Sequence, residues 1–237
     1  MIDFCFVPWD RDEYTNGMSP FHRYILPVLL MAVFLSAAVI GHGQSAAAPW
    51  TILANGTGVI GVHTTRKDLV QAYGAANVAD QDVDVGEGEM ESGTVVFPKD
   101  PERIVEILWK DPETKTVPAS ARFSGQKSHW KTAQGISLGT SLKELEHLNR
   151  RPFKLAGFGW DYSGTVLSWE DGALTADLTG GGGRVIVRLD SPVPEAEDKD
   201  VAQVEGDRDF SSSHPVMQKL NPKAYQIIVV FPAPAKN

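Results

Sequence analysis

The chain has 237 residues, 22 Lys+Arg against 30 Asp+Glu for a net charge of −8, 42% hydrophobic residues and a single cysteine. That length allows one sizeable core or two small ones. The acidic balance, with no basic stripe, excludes a protein that tracks nucleic-acid phosphates, and one cysteine excludes a disulfide framework.

Residues 1–17 place Asp3, Asp10, Asp12 and Glu13 against Arg11 alone, which is the wrong charge for the start of an export signal. Starting at Met18 gives a short basic segment ending in Arg23, so Met18 reads as the true start and Cys5 falls in a spurious leader. Ile25–Ile40 is then an apolar run of 16 residues, close to a secretory core and short of the roughly 20 needed to span hydrocarbon. Ala46-Ala47-Ala48 offers a small-residue cleavage site. Residues 1–48 therefore read as leader and signal peptide. The mature protein is expected to be extracytoplasmic, periplasmic or secreted, with no stable membrane span after cleavage. An uncleaved anchor is the other reading. No cysteine follows the apolar run to carry a lipid. Removing 1–48 leaves 189 residues; Arg11, Arg23 and the four acids go with the leader, so the mature charge is −6.

Beyond the leader the chain repeats itself at an offset of 76 residues. Ile60–Leu69 lies over Ile136–Leu145, with Thr64 over Thr140, Thr65 over Ser141, Lys67 over Lys143 and Asp68 over Glu144. Each copy predicts a short apolar segment, a capping hydroxyl answered three residues on by a carboxylate, and a short amphipathic helix. Gly74 and Asn149 read as the helix stops. Strand-like runs follow at 78–89, 93–97, 103–109 and 119–124, then at 153–161, 165–169, 184–189 and 226–231. Ser92-Gly93, Ser163-Gly164 and Gly180–Gly183 read as turns between them. The expected fold is α+β: two tandem units of a helix plus a four-stranded antiparallel sheet, 49–130 and 131–237, in two layers. An insertion at 191–209, carrying Glu195, Glu197, Asp198, Asp200, Glu205, Asp207 and Asp209, is expected to be a solvated loop. A short helix over 211–220, closed by Asn221-Pro222, comes after it.

On the two helix-start segments Ile60–Leu69 and Ile136–Leu145, this arrangement resembles the β-lactamase inhibitory protein and the SmpA/OmlA class of exported bacterial domains. The resemblance implies a sheet surface, often aromatic, that grips a partner protein. The chain has neither the cysteines of the inhibitor nor the lipid-bearing cysteine of the envelope class, so no activity is carried over residue by residue.

The densest aromatic segment is 158–169. Phe158, Trp160 and Tyr162 at period two would share one face of a strand, with Trp169 close by. If that face is open they are candidate binding anchors, for a protein or a sugar ring; if it is covered they are core. Asp80, Asp82, Asp84 and Glu91 have the spacing of a calcium loop, but Val85 stands where glycine is needed. The competing reading is a strand with the aspartates out. Gly180–Gly183 lacks the Lys-Ser/Thr of a phosphate loop and reads as a hairpin. His63, His129, His147 and His214 sit in no catalytic motif, and no serine lies in GxSxG.

The sequence thus predicts a non-enzymatic protein-binding module, without cofactor, whose partner is another exported or envelope protein. The rivals are an exported hydrolase using carboxylates such as Glu87, Glu89, Asp161 or Glu170, and a small-ligand or glycan binder.

Overall fold

A computed structural model describes residues 50–125, 127–190, 199 and 201–232. The expected leader, with Cys5, Met18, Ile25–Ile40 and Ala46–Ala48, lies outside the described residues, as does 191–198 of the acidic insertion. The chain partitions into Met1–Ala46 and Ala47–Asn237, and the fold below is that of the second unit.

Short strands β1 (Thr51–Ile52), β2 (Gly56–Thr57) and β3 (Ile60–Gly61) lead into helix α1 (Arg66–Tyr73). Four strands follow in a meander: β4 (Val78–Gly86), β5 (Glu89–Val96), β6 (Val105–Trp109) and β7 (Pro118–Phe123). After β8 (Lys131–Thr132) comes helix α2 (Leu142–Asn149), then β9 (Lys154–Ala156) and β10 (Val166–Ser168). A one-turn helix α3 (Leu174–Asp177) precedes the hairpin β11 (Thr179–Gly180) and β12 (Gly183–Asp190). The chain continues through β13 (Asp209–Ser211), helix α4 (Pro215–Leu220) and β14 (Lys223–Val230). The main sheet has seven strands in the order β11-β12-β14-β7-β6-β5-β4, and each neighbouring pair is antiparallel. A second sheet has the order β10-β9-β13. The class is α+β with an antiparallel sheet. Among the described residues no helix is long and apolar enough to cross a membrane.

The two segments matched at 76 residues build the same local structure. Gly61 N–H donates to Thr64 Oγ1 at 2.8 Å, and Ser137 N–H donates to Thr140 Oγ1 at 2.9 Å. The Thr65 side chain accepts from Asp68 N–H while the Asp68 carboxylate accepts from Thr65 N–H; Ser141 and Glu144 do the same. These reciprocal bonds satisfy two of the donors that a helix start leaves without partners. Leu69 and Leu145 are both completely buried. Gly74 ends α1 at φ 84°, as glycine permits; α2 runs through Asn149 and turns at Arg150, φ 61°. Beyond the helices the halves diverge. The strands after α1 are consecutive neighbours in the main sheet, whereas β9 and β10 after α2 belong to the second sheet. Strands from both sides of residue 130 share the main sheet, and β1 pairs with β8.

Strand side chains alternate, so each strand of the main sheet has one face inward. Val96, Val105, Ile107, Ala121, Phe123, Val187, Ile227 and Val229 form the inner face. Leu69, Leu145, Leu174 and Met217, one from each of α1 to α4, pack into the same core. Burying each such side chain is worth about 1.5–3 kcal/mol relative to exposure. The opposite face carries a small buried cluster of Val83, Val95 and Leu108.

Three local expectations are corrected. The β4–β5 turn falls at Glu87-Gly88, both at positive φ, and Ser92-Gly93 lies inside β5. Two successive positive φ values suit the twist of a tight hairpin, so Gly86-Glu87-Gly88 was the turn signal. The run 153–161 is strand only at Lys154–Ala156. The insertion is not solvated throughout: Val201 and Val204 are fully buried, and Phe158 N–H donates to Val204 O at 2.9 Å. The two valines and the backbone bonds of Val204, Gly206 and Arg208 to Gly157 and Phe158 dock this part of the acidic stretch.

Candidate functional site

The open face of the main sheet holds a cleft of about 740 Å³. Its floor follows from register. Glu106, Arg122, Ile228 and Ile186 are successive cross-strand partners on β6, β7, β14 and β12, and partners directly opposite share a face. One wall is the β4–β5 hairpin, Asp84–Glu89; the other is the loop carrying Asp161, Tyr162 and Thr165. Each wall is tied to the floor by an arginine. Arg122 Nη1 donates to the carbonyl of Asp84 in the hairpin. Arg188 Nη2 donates to the carbonyl of Asp161 at 2.6 Å, with its guanidinium 5.5 Å from the centre of the Tyr225 ring. The Nε atoms of both arginines are buried and have no hydrogen-bond partner among the described residues.

The cleft is acidic at its rim. Asp84, Glu87, Glu89 and Asp161 line it and make no ion pair among the described residues. On the floor, desolvation raises the pKa of the Glu106 carboxyl above the ordinary range; Arg122 acts against that shift and Asp84 adds to it. Desolvation also raises the Tyr225 phenol, again opposed by Arg188. The site therefore combines excess negative charge at the edge with a half-buried carboxyl that holds its proton longer than usual.

The aromatic residues separate into two groups. Phe158, 0% exposed, and Trp169, 9% exposed, are core; Trp169 packs on Phe153 with ring centres 5.1 Å apart. Tyr162 is 60% exposed and lines the cleft. Trp160 is half-buried, its indole N–H donating to Gly157 O at 3.0 Å and its ring meeting Tyr162 edge-on at 5.3 Å. Phe158, Trp160 and Tyr162 do not share a strand face. The chain leaves β9 at Ala156 and loops through 157–164, because Gly157 N–H donates to Arg208 O and Phe158 N–H to Val204 O, pairing this stretch with the folded half of the insertion. The period-two spacing is present, but among the described residues the pairing of 157–162 is a single bridge, Phe158 to Glu205, too short to make a strand.

The calcium spacing assembles no site. Asp80, Asp82 and Asp84 alternate on one side of β4, while Glu91 stands opposite Val83 and points to the other side. Although desolvation raises its pKa, Asp80 is held below the usual range by Arg66 at 2.8 Å, by Thr94 and by Lys115 at 3.2 Å. No group of three His, Cys, Asp or Glu among the described residues could hold a metal ion. Gly180 and Gly183 pair across the β11–β12 hairpin. Glu170 lies away from the cleft, 3.8 Å from Lys154. His63, His129 and His147 are exposed, and His214 Nδ1 accepts from Val216 N–H to cap α4. Sequence reasoning missed Glu106, Arg122 and Arg188: Glu106 is the one polar residue of β6, but β7 and β12 carry other polar residues, and only strand register brings the three to one face. The chain matches no family model, no curated protein and no solved structure.

Proposed function

We propose that the protein is an exported, non-enzymatic binding module that takes a lysine- or arginine-bearing segment of another exported or envelope protein into the open-face cleft. The observation that carries this reading is the rim of four carboxylates, Asp84, Glu87, Glu89 and Asp161, without ion-pair partners among the described residues, beside the exposed ring of Tyr162. Unpaired surface charge of one sign attracts and orients a partner of the other, and tyrosine is a common anchor of interfaces. The arginine ties pre-organise the two walls, which lowers the ordering cost of binding. The matching helix starts support a duplicated origin for the two halves, and the resemblance to the inhibitory class supports a gripping sheet face.

The test is capture from an envelope extract, together with anisotropy of a labelled extended peptide rich in lysine and arginine. Wild type should bind both, more weakly as salt rises. Tyr162→Ala and the pair Glu87→Gln with Glu89→Gln should keep wild-type melting temperature and lose binding by tenfold or more, about 1.4 kcal/mol. Undiminished binding by both variants refutes the reading.

One observation favours a second reading, a carboxylate hydrolase. Glu87, Glu89 and Asp161 share the cleft with Glu106, whose pKa is raised. Turnover of a chromogenic ester or glycoside that Glu106→Gln abolishes would establish it and displace the binding role.

A further inference from the structure

At the end of α2 lies a second groove of about 650 Å³. Lys143, His147, Arg150 and Arg151 line it. Lys143 and His147 are four residues apart and so share a helix face; Arg150 and Arg151 continue from it. None of these four side chains has a hydrogen bond or ion pair among the described residues. One carboxylate lines the groove, Glu146, and its Oε2 is engaged by Ser212 Oγ at 2.5 Å and Gln218 Nε2 at 3.2 Å. The groove therefore concentrates positive charge on a chain whose net charge is −8.

The corner that carries the two arginines is fixed from inside. Asn149, completely buried, donates from Nδ2 to Arg151 O at 3.0 Å, and Arg150 N–H donates to His147 O at 3.2 Å. Pro152 follows directly and also lines the groove. The partial negative charge at a helix C-terminus, about half an elementary charge, is too small to balance three permanent cations. Guanidinium forks match tetrahedral oxyanions in a bidentate way, and an ammonium adds a point charge.

We propose that this groove binds a phosphate group, with Arg150 and Arg151 as the fork and Lys143 as the opposing charge. The source is either a soluble phosphate ester or the headgroup of an anionic phospholipid.

The test follows backbone amides and arginine Nε–H signals of the full chain by NMR while pyrophosphate is added at constant ionic strength. Saturable shifts at Lys143 and 149–152 are expected, and the double variant Arg150→Gln with Arg151→Gln should weaken them at least tenfold. Both arginines are exposed, so its melting temperature serves as the folding control. Cosedimentation with phosphatidylglycerol vesicles separates the sources: retention that the double variant loses identifies a lipid headgroup, while pyrophosphate binding without retention identifies a soluble ester. Shifts that chloride reproduces, or that persist in the double variant, overturn the proposal. So does a loss of self-association in the double variant with pyrophosphate shifts unchanged, which would make the groove a contact between copies of the chain.

Discussion

Replacing Asn149 by alanine should show how strongly one buried amide holds the end of α2. The side chain is completely buried and makes three bonds: Nδ2 donates to Arg151 O at 3.0 Å and Trp169 O at 2.9 Å, and Oδ1 accepts from Leu174 N–H at 3.2 Å. Truncation strands the Leu174 donor, at about 1–3 kcal/mol, and removes the bond to Arg151 O, worth about 1 kcal/mol net. Trp169 O keeps the bond from Gly172 N–H at 2.9 Å and adds little. The expected loss is about 2–4 kcal/mol. With a urea slope of about 2 kcal/mol/M, the midpoint should fall by about 1–2 M. Gly172 supplies the matched perturbation. Its backbone is not at positive φ, yet a Cβ there would lie 2.1 Å from Asn149 Oδ1 and 2.3 Å from Nδ2. Gly172→Ala must therefore push the amide off its bonds and cost a similar amount. In the Asn149→Ala background the space is vacant and the same change should add less than about 1 kcal/mol, a coupling of about −2 kcal/mol. Additivity of the two variants within about 0.5 kcal/mol would refute the reasoning.

Three further outcomes are expected. With its pKa raised in the fold, Glu106 keeps its proton in the native state after the unfolded chain has lost it, so its contribution lowers stability as pH rises from the ordinary carboxylate range through the raised value. Glu106→Gln should flatten that part of a stability–pH curve, and an unchanged curve would show that the group does not titrate as argued. Leu69→Ala and Leu145→Ala should each cost about 2–5 kcal/mol by thermal or urea melting, since both residues are fully buried in one core; a loss under 1 kcal/mol at either would contradict that packing. Mass spectrometry of the native protein should find an N-terminus near residues 44–50, and an intact chain starting at Met1 in the cytoplasm would remove the export proposal.

The parts legible in the sequence were those fixed within a few residues. Thr65 with Asp68, and Ser141 with Glu144, cap their helices by bonds three residues long, so pattern alone located them. The Gly180–Gly183 hairpin is equally local. What the sequence hid depends on distant partners. Phe158 has the spacing of a strand, but Val204 and Arg208 claim the local backbone and send Phe158 inward and Tyr162 outward. The cleft was only half visible: Glu87, Glu89 and Asp161 were singled out as carboxylates, whereas Glu106 becomes notable only because β6 and β7 set it opposite Arg122.

The position of β14 carries a consequence for biogenesis. Strand β14 sits inside the sheet, hydrogen-bonded to β7 on one side and β12 on the other. Until residues 223–230 are available, the chain can only make two half-sheets, each ending in an unpaired edge. A nascent chain that has not reached residue 223 thus lacks the piece that joins them. The sheet cannot close before residue 230 has been made, and a truncation that removes β14 should leave two half-sheets with nothing to join them.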